Sequence, residues 1–207
     1  MKKFEEIEFS PSQCAVQLGE FKKLLQKKKD LSERDDILPF FKRRKDLSAL
    51  LGSLHPKIYK YDRLAFEYNL FGDFVVDLAI GDSTRKSYCF VEFESAKDNS
   101  IFVSKAGKTT PEWSPTFERG YSQIVDWFWK LNDMERTDEF ENRFNGRNIK
   151  YVGVLVVGRN EYLEPRELKR LKWRQENTRV NSKEIYCLTF DELYEDLSVR
   201  LNTYLSI

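Results

Sequence analysis

Hydrophobic residues recur along this chain with two different periods, which predict helices and strands in a mixed order. At residues 12–29 and 117–131 apolar side chains return about every 3.6 positions, the spacing of an amphipathic helix. Helical spacing, together with proline and capping-box signals, predicts three more helical regions at residues 32–51 (broken near Pro39), 165–175 and 189 to about 204.

Runs rich in aromatic and β-branched residues predict strands between these helices. The strands are predicted at residues 63–80, 88–94, 151–157 and 185–190. A polar stretch, 81–87, is predicted to be the hairpin turn between the first two. The run at 151–157 is apolar throughout, so we expect both of its faces to be covered.

The order of these elements predicts the architecture. Residues 95–114 and 133–148 are predicted loops. We expect an α/β (α+β) fold in which a mixed central sheet is flanked by helices. Residues 1–58 are predicted to form a short helical N-terminal leader, packed on a domain that spans 59–207.

Composition excludes several classes of function. Charged residues make up 33% of the 207 positions, but the formal net charge is only +1, so a nucleic-acid-binding surface would have to be local. The three cysteines are far apart and form no CxxC pair, which argues against zinc and disulfides and fits a reducing cytoplasm. The single histidine, His55, excludes most histidine-based catalysis. We expect no signal peptide and no membrane-spanning run.

Three carboxylates interrupt the two strands of the predicted hairpin. Asp77 lies in the first, and Glu92 and Glu94 lie two residues apart in the second, so both glutamates face the same side. A carboxylate inside an apolar strand is costly unless it is paired. Mg²⁺ or Mn²⁺ would be a suitable partner, because both ions prefer oxygen ligands. Asp73 is a competing ligand, since it falls on the same strand face as Asp77.

Two plainer interpretations of these acids stay open. They could be solvated side chains on a half-exposed sheet face. They could also form a structural cluster that is paired internally by Arg63, Arg85 or Lys97.

Five short segments, taken in order, carry a resemblance to a known family. They are Gly-Asp-Phe-Val-Val-Asp at 72–77, Phe-Val-Glu-Phe-Glu at 90–94, Gln123 within Tyr-Ser-Gln-Ile-Val-Asp-Trp-Phe, the strand at 151–158, and Ile-Tyr-Cys-Leu-Thr-Phe-Asp-Glu-Leu from residue 185. Over about residues 60–200 the chain resembles the DUF4263 domain, the nuclease domain of Shedu anti-phage defence proteins. That domain belongs to the PD-(D/E)XK nuclease superfamily, so the resemblance implies a restriction-endonuclease-like sheet.

The resemblance implies roles for individual residues. Asp77 matches the superfamily aspartate and Glu92 the glutamate, and both would bind the cation. Glu94 stands where the superfamily has lysine; it would complete the coordination or orient water. Gln123 resembles a glutamine that other members place near the metal or the attacked phosphate. The missing lysine leaves the general base unassigned; Lys97, Lys105 and Lys108 are nearby candidates, and Glu67 could match an upstream glutamate.

The function implied is a Mg²⁺- or Mn²⁺-dependent endonuclease that hydrolyses DNA in anti-phage defence. Basic residues on the 165–175 helix could contact DNA phosphates, namely Arg166, Lys169, Arg170 and Arg174. The alternative is a non-catalytic module that binds nucleic acid or assembles with a partner on the same fold. Shedu-like proteins assemble, so a homo-oligomer is also expected.

Overall fold

The computed structural model describes residues 3–206 and is built around a mixed seven-stranded sheet with helices on both faces. The strands are β1 (Glu5–Glu6), β2 (Arg63–Leu70), β3 (Phe74–Asp82), β4 (Ser87–Phe93), β5 (Phe102–Val103), β6 (Glu112–Trp113), β7 (Lys150–Val156), β8 (Arg179–Val180) and β9 (Lys183–Leu188). The α-helices are α1 (Pro11–Lys27), α2 (Leu38–Lys42), α3 (Lys45–Leu50), α4 (Pro115–Met134), α5 (Asp138–Phe144), α6 (Pro165–Asn177) and α7 (Phe190–Leu205).

The central sheet has the order β1-β2-β3-β4-β7-β9-β8. Its first four strands are antiparallel neighbours, whereas β4, β7 and β9 run parallel to one another. Strands β5 and β6 form a separate two-stranded hairpin. The mixed sheet flanked by helices confirms the fold class that the hydrophobic pattern predicts.

Burial explains the strand sequences in the middle of the sheet. Every residue of β7 except Lys150 is buried, which confirms that both of its faces are covered. One face packs against α1, α3 and α7, and the other against α4 and α5. Strand β4 is buried along its whole length, and Glu92 is the acid within it.

The predicted single run at 63–80 is wrong, because it contains two strands and a tight turn. Phe71 and Gly72 adopt φ angles of +58° and +89°, which reverse the chain between β2 and β3. Phe71 is apolar, so the hydrophobic run continues through the turn and the sequence gives no sign of a break there. Asp73 therefore lies in this turn rather than on the strand face of Asp77, and it forms an ion pair with Lys130 at 2.6 Å.

Two helical predictions also need correction. The segment 133–148 is not only loop, because α5 lies within it; Thr137 caps this helix, and Phe140 and Phe144 anchor it in the core. The break in the 32–51 region falls at Arg43 and Arg44, after α2. Pro39 instead occupies the first turn of α2, where proline is well tolerated.

The N-terminal helical segment is joined to the rest of the chain by a buried arginine. Arg159 is 7% exposed, and its Nε donates to both carboxylate oxygens of Asp191 at 3.0 and 2.9 Å. Its other nitrogens donate to the carbonyls of Leu25 and Lys28 at the end of α1. The division of the chain at residue 58 stays a prediction, but α1, α2 and α3 contribute to the same apolar core as β3, β4 and α7.

Candidate metal centre

Asp77 and Glu92 come directly after the Leu78–Val91 pair of the β3–β4 ladder, where the hairpin is distorted. The pairs Phe66–Leu78 and Tyr68–Val76 flank Glu67 and Asp77, and Glu67 has a φ of +50°. The β3–β4 ladder ends at the pair Leu78–Val91, and beyond it the Asp77 carboxylate accepts a hydrogen bond from the Phe93 N–H at 2.9 Å. The side chain of Asp77 thus takes over an acceptor role that a main-chain carbonyl normally has in a ladder.

Of the three acids, Glu92 has the environment that most disfavours its ionised form. It is 6% exposed, and its Oε2 is buried with no hydrogen-bond partner among the described residues. Burial raises the pKa of Glu92 strongly, and the neighbouring charges of Asp77, Glu94 and Glu33 raise it further. Burial likewise raises the pKa of Asp77, although the Phe93 hydrogen bond opposes it. A carboxylate oxygen left in this state requires either a proton or a cation.

Glu94 already has a cationic partner. Arg119 on α4 grips it with two hydrogen bonds, Nε to Oε1 at 3.0 Å and Nη2 to Oε2 at 2.5 Å. Burial raises the pKa of Glu94, and the arginine counters this effect. The next residue, Gly120, leaves the space that the Glu94 side chain fills, since a Cβ there would lie 3.0 Å from Glu94 Cγ.

Two further charged residues reach the site from the N-terminal segment, and the sequence does not predict a position near the acids for either. Glu33 opens a π-helical turn (Glu33–Ile37), and its charge raises the pKa of Asp77, Glu92 and Glu94. Lys42 ends α2 and pairs with Glu67 at 3.1 Å, and its charge lowers the pKa of Asp77. No local motif marks them, because their relation to the acids exists only in the folded chain.

Of the other predicted site residues, Gln123 lies on the helix that carries Arg119, whereas within residues 3–206 the candidate lysines form no ion pair with the acids. Gln123 lies one helical turn after Arg119 and is half-buried, so it is on the part of α4 that adjoins β4. Lys105 and Lys108 both pair with Glu112 on the small hairpin, which engages them away from the acids. Lys97 is exposed. Arg119 forms an ion pair with Glu94, whereas no hydrogen bond or ion pair joins Arg63, Arg85 or Lys97 to the three acids among the described residues.

The basic residues of α6 divide into two groups. Arg170 donates to the carbonyl of Pro111, and Arg174 forms a two-point ion pair with Glu118, so both serve packing within the chain. Arg166 and Lys169 are exposed. Of the four residues predicted to contact DNA, these two have side chains turned to solvent, where a phosphate could reach them.

Two residues, Asp77 and Glu92, offer oxygen ligands of the kind that a hard divalent cation prefers. Mg²⁺ is commonly held by one or two carboxylates, with water and substrate oxygens completing its shell. Glu92 offers a buried unpaired oxygen, and Asp77 lies next to it with its Oδ2 on Phe93. Within residues 3–206, no three His, Cys, Asp or Glu side chains are grouped so that they could hold a metal ion together. Glu94 as a third ligand stays a prediction, and it requires Arg119 to release the carboxylate.

Replacing Arg119 by glutamine is expected to lower the free energy of unfolding by about 1–3 kcal/mol. The reason is that Glu94 is 1% exposed and would be left charged without its partner, although the arginine itself is 60% exposed. Urea denaturation measures the change. The double variant Glu94→Gln/Arg119→Gln should recover part of it, and a double variant no more stable than Arg119→Gln would contradict the pairing.

Comparison with known proteins gives the family. A family model described as Shedu protein SduA, C-terminal, matches residues 30–194. The match includes Glu33, Lys42, both strands of the acidic hairpin and helix α4. No curated protein matches the chain. No helix in residues 3–206 has both the length and the apolar character needed to cross a membrane. The chain therefore belongs to the Shedu family, through the C-terminal domain of SduA, and this membership suggests a role in anti-phage defence.

Proposed function

We propose that this protein is a metal-dependent endonuclease that hydrolyses DNA phosphodiester bonds in anti-phage defence, on a PD-(D/E)XK-type fold. The observation that carries the proposal is the buried, unpartnered Oε2 of Glu92 beside the Asp77 carboxylate. Family membership supports the defence context. An apolar strand would not keep such an oxygen without a cation to bind it or a proton to neutralise it.

Asp77 and Glu92 are the residues that would hold Mg²⁺ or Mn²⁺. The bound ion would supply a Lewis acid for the scissile phosphate and would lower the pKa of a water molecule. Asp77 is oriented by the Phe93 N–H, so its remaining oxygen is presented in a fixed direction. A bound cation would lower the raised pKa values of both acids, because a nearby positive charge favours the ionised form.

This chain lacks the lysine of the superfamily pattern. In our proposal, other cations around the acids take over the role of that lysine. Lys42 is held against Glu67, close enough to Asp77 to lower its pKa. Arg119 is 60% exposed while it binds Glu94. We assign to Lys42 and Arg119 the binding of the attacked phosphate, with Glu94 orienting the water and Gln123 assisting. Arg166 and Lys169 on α6 would contact the DNA backbone further away.

The direct test is incubation of the full chain with supercoiled plasmid and Mn²⁺ or Mg²⁺, with EDTA as the control. We expect nicked and linear products only when the metal is present. A protein that leaves the plasmid intact with either metal would contradict the proposal.

A second candidate function is a non-catalytic nucleic-acid-binding or assembly module. The observation in its favour is that Arg119 already neutralises Glu94, so a three-carboxylate cage is not formed among the described residues. Retarded migration of plasmid on a gel, without cleavage in any metal, would support this second function.

Metal binding can also be followed without a nuclease assay. Mn²⁺ should raise the melting temperature of the wild-type protein, because a ligand at about 100 times its dissociation constant stabilises the folded state by about 2.7 kcal/mol. The variant Glu92→Gln should lose this shift. An equal Mn²⁺-induced shift in both proteins would place the ion elsewhere.

A further inference from the structure

A second site is indicated by a cavity of about 490 Å³ beside the start of β2, which shares no residue with the acidic hairpin site. It is lined by residues that are distant in sequence. Lys3, Phe4 and Arg63 come from the N-terminal part of the chain, and Glu139 and Arg143 come from α5. Arg63 pairs across the sheet with Gly81, four residues along β3 from Asp77, so the cavity and the acids lie at different points of the hairpin.

The walls of this cavity carry an excess of positive charge. Arg143 is held by its neighbours, since it donates to the carbonyl of Asn69 at 2.6 Å and to Glu139 at 2.5 Å. Glu139 is the carboxylate in the lining, and it is engaged by that arginine. The charges of Lys3 and Arg63 are therefore not balanced within the cavity.

Among the residues that line the cavity, Arg63 gives the strongest indication of a bound ligand. Its Nε is buried and has no hydrogen-bond partner among the described residues. A guanidinium cannot lose its proton in a protein, so the group cannot escape the cost by becoming neutral. That buried Nε is out of reach of a ligand, but no hydrogen bond or ion pair joins the rest of the guanidinium to another described residue, so its charge is available to an anion in the cavity.

Aromatic rings form another part of the wall. Phe4 lies 4.6 Å from Tyr68, centroid to centroid, with the two rings tilted by 35°. Both residues line the cavity together with Asn142, whose amide can donate and accept hydrogen bonds. The volume lies in the range of about 300–1,000 Å³ that is typical of small-molecule sites.

We propose that this cavity binds a nucleoside phosphate. The phosphate would lie against Arg63 and Lys3, since guanidinium groups match phosphate geometry with paired donors. The base would lie against Phe4, whose partly exposed ring supplies apolar surface and packs on the buried ring of Tyr68. This proposal does not depend on nuclease activity, because the ligand is held by residues outside the acidic hairpin.

The test is isothermal titration of the full chain with ATP, ADP and AMP in EDTA, which keeps divalent ions out of the experiment. Adenosine and inorganic phosphate are titrated in parallel. We expect at least one nucleotide to bind more tightly than either part alone. Arg63→Gln should weaken that binding by about tenfold or more, and Lys3→Gln, at an exposed position, should weaken it several-fold.

Arg85→Gln is the matched control. Arg85 is an exposed arginine on the β3–β4 turn, where it lies over the Tyr59 ring, and it does not line the cavity. Its replacement should leave nucleotide binding unchanged. The proposal is overturned if no nucleotide binds, if Arg63→Gln and Lys3→Gln both bind as tightly as the wild type, or if phosphate alone binds as tightly as the nucleotide.

Discussion

Replacing Glu92 by glutamine is expected to abolish metal-dependent cleavage, with a loss of at least about 10²–10³-fold. Glutamine has nearly the same shape but no negative charge, so the site would lose an anionic ligand for the cation while the packing of β4 is kept. Initial rates of plasmid nicking in Mn²⁺ measure the loss. Glu195→Gln, which changes an exposed glutamate on α7, should cleave like the wild type.

The same substitution is expected to stabilise the metal-free protein, and the size of this effect should depend on pH. Burial raises the pKa of Glu92 in the folded state above its ordinary value of 4.5. Well below that value the side chain is protonated in both folded and unfolded chains, so wild type and variant should have similar stability. As the pH rises, the unfolded chain releases the proton more readily, and the folded wild type becomes progressively less stable than the variant.

Melting temperatures in EDTA at about pH 5 and pH 8 test this sign. The advantage of Glu92→Gln should be larger at the higher pH. A variant that is less stable than the wild type at pH 8 would show that Glu92 has a stabilising partner.

Asp77→Asn and Asp73→Asn form a matched pair on one hairpin. Asp77 faces the site, whereas Asp73 lies in the β2–β3 turn and pairs with Lys130. Cleavage should be lost in the first variant and kept in the second. Equal activity in the two variants would remove Asp77 from the proposed metal centre.

Replacing Arg159 by glutamine is expected to lower the free energy of unfolding by about 3–5 kcal/mol, the range seen when one partner of a buried ion pair is removed. The side chain of Arg159 is 8% exposed, and its loss leaves Asp191 without its cation. It also leaves the carbonyls of Leu25 and Lys28 without their donor. Urea denaturation measures the change in unfolding free energy.

Arg147→Gln is the control for this experiment. Arg147 makes two ion pairs on α5, with Asp138 and Glu141, but its side chain is 49% exposed. Exposed pairs contribute about 0–1 kcal/mol, so the control should be close to the wild type. Similar losses in both variants would argue that Arg159 does not tie α1 to the domain.

The sequence predicts the middle of the sheet well because the strands there are long and apolar, whereas the two-residue edge strands β1 and β8 are not predicted. Strand β7 is recognised from its uninterrupted hydrophobic run, and β4 from an apolar run that Glu92 interrupts. The turn after β2 is missed because an apolar residue, Phe71, adopts the left-handed conformation there. Helix α5 is missed because its anchors Phe140 and Phe144 stand among charged residues, which resemble a solvated loop.

The site is only partly accessible to sequence reasoning. The alternation of strand residues places Glu92 and Glu94 on one face, and the hairpin brings Asp77 near them. The partner of Glu94 could not be found in this way, since Arg119 is 25 residues further along the chain. Glu33 and Lys42 are equally remote and belong to a segment that the sequence suggests is only a helical leader.

The two hydrogen bonds between Arg119 and Glu94 also constrain how this part of the chain can change during evolution. A mutation at one position leaves the charge at the other without its partner, so single changes are disfavoured and paired changes are tolerated. Relatives in which position 94 carries a lysine should therefore have lost the arginine on α4, and the two positions should co-vary across an alignment.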